Sequence, residues 1–367
     1  MKYNIIILSI LFLFVSHLTY SQVFSDSRKI TRSFKVTSST TVEIINKYGK
    51  IHIIPCDKDS VKIEIDISIK SDNLTKYNKL KSEIDFEFTG TEYYVLAKTI
   101  VGSKHTSFID EIKGLREEII DFFSSSQSEI KINYTVQVPR YVNLKLENKY
   151  GDVYTNSFKG NFNLNLSYGD FKANELSGDN EIEINFGDAY INLLDHGKIS
   201  ISYSDFQVKK SRQLTIDSKS SKIKINEIKV LKITSKRDKY HIDKIDDIYG
   251  ETSFSDIWIY QLNNETSINM RYGNLNLELI NKNFSYININ SKYADMNLFF
   301  DHGSSYNFEL IHKSVIFDFP KNLGKITEKP YHADAKYLFS SGIFGTGSSL
   351  SKVKISAESG NLNIFHK

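Results

Sequence analysis

The sequence predicts an all-β protein folded as a single-stranded β-helix, or β-solenoid, with coils of 17–21 residues. A short phrase recurs along the chain at nearly constant spacing, which is typical of repeat architectures. Each copy carries two runs in which apolar and polar residues alternate with a period of two, as they do in half-buried strands. An antiparallel β-sandwich is the alternative fold, and the near-constant spacing favours the solenoid.

The recurring phrase is an aromatic residue, a small residue and an acidic residue at a polar turn, as in Tyr150-Gly151-Asp152. Gly, Asn, Asp and Ser in these turns tolerate positive φ or form local hydrogen bonds, which suits sharp corners. Such short units cannot bury their own apolar rows, so they are expected to stack around a continuous core. Full copies contain Tyr150, Tyr168, Phe186, Tyr203, Phe254, Tyr272 and Tyr293, and degenerate copies lie at 218–222 and 235–239. A weaker copy ends at Ser314, and the stretches 46–50 and 359–361 echo the phrase.

Composition excludes several classes of protein. With 40% hydrophobic and 13% aromatic residues, a chain of 367 residues can bury a core and is not intrinsically disordered. The single cysteine, Cys56, excludes a disulfide framework and a cysteine-based zinc site. The 47 Lys and Arg nearly balance the 44 Asp and Glu, which argues against a nucleic-acid partner because such a partner needs a concentrated basic face.

The first residues have the pattern of a secretory signal peptide. Lys2 precedes an apolar run over 5–15, and Thr19 and Ser21 place small residues where a cleavage site before Gln22 requires them. We therefore expect residues 1–21 to be removed and the protein to be exported to the periplasm, the outer-membrane surface or the medium. No later run approaches the ~20 apolar residues of a transmembrane helix, so no membrane span is expected in the mature chain.

The mature chain is predicted to have two parts. Residues 22–140 form an N-terminal β segment, in which apolar residues spaced by three and four predict a helical insertion near 103–124. Residues 141–367 form the solenoid repeat region. Within it, Pro320, Pro330 and a stretch rich in Gly and Ser predict a surface loop near 320–350.

Stacked copies would align equivalent residues in columns along the molecule. The aromatic column is interpreted either as a structural stack of rings or as a platform on which the flat faces of sugars lie. In the second case its tyrosines would bind a partner. These candidate partner-binding residues are Tyr150, Tyr168, Tyr203, Tyr272 and Tyr293.

The position two residues after the aromatic is mostly acidic. Like charges ~4.8 Å apart repel by ~0.9 kcal/mol even in water, so this column predicts a solvated turn edge or, alternatively, a bound cation. Calcium needs several converging oxygens, which single aspartates in a row supply poorly, and neither a metal nor a cofactor is predicted. The position is occupied by Asp152, Asp170, Asp188, Asp205, Lys222, Lys239, Asp256, Asn274 and Asp295.

The sequence contains no recognisable catalytic motif. The nine histidines include no HxH or HExxH pattern, and there is no GxSxG, phosphate-binding loop or dinucleotide fingerprint. Two Asp-His-Gly triplets, at 195–197 and 301–303, each follow a strand and are interpreted as turns rather than catalytic dyads. We expect a non-enzymatic envelope or surface protein that binds a surface partner, either glycan or protein. A glycan-active β-helix enzyme and a structural or sensory envelope component are the alternatives.

The chain also resembles a known group of proteins. The residues that carry the resemblance are Val136-Gln137-Val138-Pro139, the run from Leu144 to Asp152, and the closing stretch from Lys352 to Ile364. They are similar to bacterial β-strand-repeat proteins regarded as candidate adhesins, a domain of unknown function related to auto-transporter adhesin head domains. The resemblance implies a right-handed single-strand β-helix and an envelope location, and it implies no catalytic residues. The segment 103–124 and the two central copies depart from the pattern.

Overall fold

The computed structural model describes residues 23–102, 128–322, 324–334, 336–345 and 351–367, which form an all-β structure with one short helix. The N-terminal elements are β1 (Phe24–Lys35), β2 (Thr41–Lys47), β3 (Ile51–Cys56), β4 (Ser60–Ser71), α1 (Leu74–Glu83), β5 (Ile84–Gly90), β6 (Tyr94–Val101) and β7 (Glu129–Pro139). The central strands are β8 (Asn143–Lys149), β9 (Val153–Phe158), β10 (Phe162–Ser167), β11 (Phe171–Leu176), β12 (Asn180–Asn185), β13 (Ala189–Ser202), β14 (Asp205–Lys219), β15 (Lys222–Lys236), β16 (Lys239–Ile280) and β17 (Tyr286–Phe300). The last strands are β18 (Tyr306–Asp318), β19 (Gly324–Pro330), β20 (Leu338–Phe344) and β21 (Lys352–His366).

Strands β8 to β16 pair in parallel with the strand one repeat further along the chain. Leu146 pairs with Leu164, 18 residues on, and Leu164 pairs with Ile182 at the same offset. The offset falls to 17 residues between Ile182 and Ile199. Neighbouring strands of this region therefore run in the same direction.

Alternation along each strand places one row of side chains in the core. Neighbouring repeats stack these rows, so that each aliphatic side chain packs on its equivalents one repeat before and one repeat after. Full burial of such a side chain contributes roughly 1.5–3 kcal/mol, which is why the repeats are stable together and not singly. One such column contains Leu146, Leu164, Ile182, Ile199, Ile216 and Ile233, none more than 2% exposed.

The N-terminal strands extend this stack in an order that differs from the chain order. Ile44 in β2 pairs with Leu146, and Ile51 in β3 pairs with Val153, each 102 residues further on. On their other sides, β2 and β3 pair in parallel with β6 and β7. Antiparallel strands then cover this end, with β5 on β6, β4 on β7 and β1 on β4. They occupy backbone groups that would otherwise form open edges.

At the C-terminal end, the last strand of the chain is not the last strand of the sheet. β21 lies between β17 and β18 and is parallel to both. β20 pairs antiparallel with β18 on one side and with β19 on the other. The outer strand β19 carries Lys325, Lys329 and Pro330, which disfavour pairing with a further strand.

The predicted signal peptide at 1–21 and the predicted helical insertion near 103–124 both lie outside the described residues. Helix α1 was not predicted. It begins after Asn73, whose side chain accepts a hydrogen bond of 3.0 Å from the backbone N–H of Lys76. None of its residues is buried, so the helix lacks the apolar face by which a sequence reveals one. No helix in the described ranges is long and apolar enough to cross a membrane.

The predicted loop near 320–350 is wrong over much of its length, since this stretch contains strands β19 and β20. The two strands pair antiparallel, with Thr327 opposite Ser341. The prolines do not interrupt this pairing, because Pro320 precedes β19 and Pro330 is its final residue. Residues 346–350 of the Gly- and Ser-rich stretch lie outside the described residues.

Candidate functional site

The repeated turns all have the same unusual backbone conformation. Among the described residues, twelve that are not glycine have a positive φ, and every one is the centre of a repeat copy. We call this row of turns the turn edge. The left-handed residue is usually the aromatic one, which corrects the expectation that the glycine-type residue would supply the positive φ. The twelve are Tyr48, Tyr150, Tyr168, Phe186, Tyr203, Ser220, Arg237, Phe254, Tyr272, Tyr293, Ser314 and Ser359.

The small residue after the aromatic is required by close contact between repeats. A Cβ added at Gly169 would lie 2.1 Å from the backbone oxygen of Gly151, and one added at Gly187 would lie 1.9 Å from that of Gly169. Steps that end at these glycines are 18 residues long, whereas the next steps, which end at Ser204 and Ser221, are 17 residues long. The step length thus varies along the chain, and the step from Gly273 to Ala294 has 21 residues.

The aromatic side chains of the turn edge form two stacks of parallel rings. The first joins Tyr48, Tyr150, Tyr168, Phe186 and Tyr203, with centroid separations of 5.0–5.5 Å and interplanar angles of at most 16°. The second joins Phe254, Tyr272 and Tyr293 at 4.7 and 5.2 Å. The five predicted partner-binding tyrosines are thus divided between the stacks, three in the first and two in the second.

Stacking decides which part of each ring a partner can reach. A sugar placed between two rings would need them roughly 7 Å apart, which is twice the optimal carbon–carbon contact. The rings are closer than this, so their faces cover one another and their rims are exposed, with Tyr168 48% and Tyr203 49% accessible. The interior of a stack therefore offers phenol hydroxyls, not flat faces. Burial, with the neighbouring Tyr168, raises the pKa of Tyr150, which keeps its hydroxyl protonated at neutral pH.

Removing the middle ring of the first stack should measurably lower stability. Phe186 stacks at 5.0 Å on both Tyr168 and Tyr203, and each such pair contributes about 0.5–1.5 kcal/mol beyond burial. We expect Phe186→Ala to lower the free energy of unfolding by about 1–2 kcal/mol, measured by thermal and urea unfolding followed by circular dichroism. Phe186→Tyr keeps the ring and should be nearly neutral. Equal stability of both variants would contradict a structural contribution from the stack.

The acidic column is tied to the backbone of the next repeat. A carboxylate oxygen of Asp152 accepts the backbone N–H of Asp170 at 2.9 Å, Asp170 accepts that of Asp188 at 3.0 Å, and Asp188 accepts that of Asp205 at 3.1 Å. The column is therefore more than a solvated edge, because each carboxylate holds two repeats together. The hydrogen bond from Tyr154 to Asp152, together with burial, raises the pKa of Tyr154 to about 12.

In the turns between the two ring stacks, the hydrogen bonds between repeats are accepted by the residue one position earlier in the phrase. We call the whole series of these bonds along the turn edge the hydrogen-bond ladder. Here the side chains at the small position accept the backbone N–H of the preceding repeat: Ser221 accepts from Ser204 at 3.3 Å, Asp238 from Ser221 at 2.8 Å, and Ser255 from Asp238 at 3.1 Å. Asp238 is only 2% exposed, and it also accepts from two serine hydroxyls and from the backbone N–H of Lys236. The outer position, usually aspartate, is thereby released from its structural role.

A groove lies on another part of the surface. This groove, of about 730 Å³, contains His196, whose Nε2 lies 2.9 Å from the carboxylate of Asp179. The same histidine lies 3.4 Å from Asp195, which also binds Arg212 at 2.7 Å. The Asp179 side chain is 82% exposed, so this acid and histidine lack the burial that usually tunes a catalytic pair. Within the described ranges, no group of three or more His, Cys, Asp or Glu is arranged to hold a metal ion.

The prediction from the sequence did not include a band of positive charge, because it used the net charge of the whole chain and not the distribution of charge along it. Residues 206–239 contain 11 Lys and Arg against 3 Asp and Glu, a net charge of +8. The stretches on either side, 141–205 with 5 against 10 and 240–302 with 4 against 9, each carry −5. Charge counted repeat by repeat would have revealed this pattern, which a formal net charge of +3 conceals.

Known family models do not match this chain, and neither do curated proteins. Three similar solved structures are a candidate cell adhesion protein from Clostridium sporogenes, with 10% identity and a TM-score of 0.21, a candidate adhesin from Bacteroides fragilis, with 11% and 0.26, and a candidate lipid binding protein from Parabacteroides distasonis, with 10% and 0.29. They cover 93%, 93% and 92% of this chain and 100%, 97% and 96% of their own. TM-scores this low do not establish a shared fold, so membership of the adhesin-type β-repeat group stays a prediction.

Proposed function

We propose that the protein is an exported β-solenoid of the cell envelope or surface that binds a partner there, either glycan or protein, and catalyses no reaction. The observation that carries this proposal is the turn edge, where successive repeats of each stack place one exposed aromatic rim beside the next. Export is supported by the signal-peptide pattern at 1–21. The absence of a catalytic motif from the sequence supports a binding role.

The turn edge has the properties of a recognition surface for an extended partner. Its ring rims remain accessible in both stacks, with Phe186 47%, Phe254 55% and Tyr293 47% exposed. Tyrosine offers a large rigid contact area and a hydroxyl that can donate or accept a hydrogen bond, which is why it is enriched in binding surfaces. Since the repeats also fix the spacing of these groups, a partner with its own regular repeat would meet successive equivalent contacts.

A variant that removes only the hydroxyls tests this proposal. Replacing Tyr150, Tyr168, Tyr203, Tyr272 and Tyr293 with phenylalanine keeps every ring and its stacking. We expect the variant to keep its thermal stability and to lose about tenfold or more in affinity, because several hydrogen bonds of about 1 kcal/mol each are removed. Binding is measured against arrays of cell-wall and host glycans and against fractionated envelope extracts.

The matched control replaces two exposed tyrosines away from the turn edge, Tyr93 and Tyr260, with phenylalanine; they are 64% and 62% exposed. It should bind like the natural protein. Failure of the natural protein to bind any glycan or envelope component would contradict the proposal and favour a purely structural or sensory role.

The groove around His196 supports one alternative, a glycan-active enzyme. The close approach of His196 to Asp179 is the observation that favours it. Release of soluble products from a polysaccharide, abolished by Asp179→Asn, would replace the binding proposal with a catalytic one.

A further inference from the structure

Between the two ring stacks, the turn edge has a gap lined by basic residues. Tyr203 ends the first stack and Phe254 begins the second, and the two turns between them carry Ser220 and Arg237 in place of rings. Three repeat steps separate the two end rings, which corresponds to about 14 Å at normal strand spacing. We call this gap the basic notch; its floor consists of Lys219, Ser220, Lys222, Lys236, Arg237 and Lys239.

The Phe254 end of the notch offers an aromatic face that the interior of a stack cannot offer. Each ring inside a stack is covered on both faces, whereas Phe254 has a ring partner on one side only and is 55% exposed, more than Phe186 at 47%. The face of Tyr203 that points into the notch has Lys219 Nζ 5.8 Å from its centre. Lys219 therefore covers this face of Tyr203, and a sugar ring can lie against the open face of Phe254.

The charges of the notch floor are not neutralised by neighbouring side chains. No ion pair within 4 Å joins Lys222, Lys239 or Arg237 to a carboxylate in the described part of the chain. Lys222 lies directly opposite Lys239 in parallel register, and Lys219 lies opposite Lys236. Like charges on adjacent strands repel, whereas on its other side Lys222 lies opposite Asp205. The nearby acids are Asp238, which is buried beneath the notch, and Asp205 and Asp256, which flank it in the same column as the lysines.

The hydrogen-bond ladder explains how the fold tolerates lysine at these positions. At Asp152, Asp170 and Asp188, the aspartate two residues after the aromatic accepts a backbone N–H of the next repeat. In the notch, Ser221 and Asp238 perform this role from one position further in. Lys222 and Lys239 therefore do not have to accept a backbone N–H. They place two like charges on adjacent strands, which is unfavourable, and unfavourable local features are typical of functional sites.

We propose that the basic notch binds an acidic saccharide, with a pyranose ring against the end face of Phe254 and its carboxylate, sulfate or phosphate on Lys222, Lys239 and Arg237. This inference rests on the proposed surface-binding function and names the chemical class of the partner. The stretches of −5 on either side limit the favourable region to about two repeats. A nucleic acid or an anionic membrane presents a continuous negative surface, which those acidic stretches would repel, whereas a glycan can carry charge locally and neutral hydroxyls elsewhere.

The experiment uses an oligogalacturonate hexasaccharide as the acidic probe and its methyl ester as the neutral one. Binding to the purified mature protein is measured by titration calorimetry at about 50 and about 300 mM NaCl, since screening weakens exposed charge pairs. The notch variant is Lys222→Gln with Lys239→Gln. The control is Lys159→Gln with Lys282→Gln, which makes the same change of charge at exposed turns outside the notch.

We expect the acidic probe to bind, the ester to bind at least about tenfold more weakly, and binding to weaken with salt. The notch variant should lose about tenfold or more while the control is unchanged. The melting temperature of the notch variant should change little, because the repulsion between Lys222 and Lys239 and the attraction between Lys222 and Asp205 are removed together. A lower melting temperature would show that the lysines are structural and overturn the inference.

Further results would overturn the acidic-saccharide inference, either alone or together with the proposed function. Equal binding of the notch variant and the natural protein, or equally tight binding of a short oligothymidylate or of phosphatidylglycerol vesicles, would overturn the acidic-saccharide inference. If the acidic probe fails but the tyrosine-to-phenylalanine variant still loses its envelope partner, the inference falls and the proposed function stands. If neither probe nor envelope extract binds, both fall.

Discussion

Asp238→Ala is expected to lower the free energy of unfolding by about 3–5 kcal/mol, because buried hydrogen-bond donors lose their acceptor. The carboxylate of Asp238 accepts the backbone N–H of Ser221 and of Lys236, both at 2.8 Å, and the hydroxyls of Ser218 and Ser235, both at 2.7 Å. Alanine removes the acceptor of both backbone N–H groups, of which that of Ser221 is buried and that of Lys236 is partly buried. Each such group costs about 1–3 kcal/mol.

Two measurements check this expectation. Urea unfolding reports the global loss, and hydrogen exchange at the Ser221 and Lys236 amides reports the local one, since in a repeat protein each unit contacts only its neighbours. Asp238→Asn retains one carbonyl oxygen and should fall between the alanine variant and the natural protein. Unchanged exchange at both amides in the alanine variant would show that Asp238 does not hold these turns together.

Gly169→Val is expected to destabilise the protein by about 3 kcal/mol or more, through forced overpacking. A Cβ at this position would lie 2.1 Å from the backbone oxygen of Gly151 and 2.6 Å from its carbonyl carbon. Backbone atoms cannot move aside as a flexible side chain can, so two stacked repeats would have to separate. The melting temperature measured by circular dichroism, with the amount of folded protein recovered, gives the size of the effect.

The equivalent turn at Ala294 supplies the control. Ala294 already has a Cβ in the same column, so Ala294→Gly removes one and should cost only about 0.5–1 kcal/mol of backbone freedom. If Gly169→Val were no worse than Ala294→Gly, close approach between repeats would not explain the glycines of the phrase.

Much of the repeat organisation could be predicted because it depends on local periodicity. Alternation of apolar and polar residues shows which side of each strand is buried, and the spacing of Tyr150, Tyr168 and Phe186 sets the offset at which strands pair. Even the degenerate copies at Ser220 and Arg237 have the predicted turn geometry. The candidate tyrosines do share one edge, although two separate stacks divide them.

The remaining features depend on contacts that periodicity does not encode. The sequence shows neither that Tyr48 stacks on Tyr150, 102 residues away, nor that β21 lies between β17 and β18, because any of several similar strands could fill those places. Helix α1 buries no residue, so no apolar pattern in the sequence predicts it. The loop prediction near 320–350 relied on prolines, and Pro330 lies at the end of a strand instead of in a loop.

By itself, the sequence determined the all-β class, the step of 17–21 residues and the positions of the left-handed turns, since each follows from residue type and spacing along the chain. Only the tertiary structure decided that ring faces are covered within the stacks, that Phe254 has no ring partner on the side of the basic notch, and that Asp238 replaces the outer aspartates. These outcomes depend on distances between residues of neighbouring repeats, and such distances exist only once the repeats have stacked.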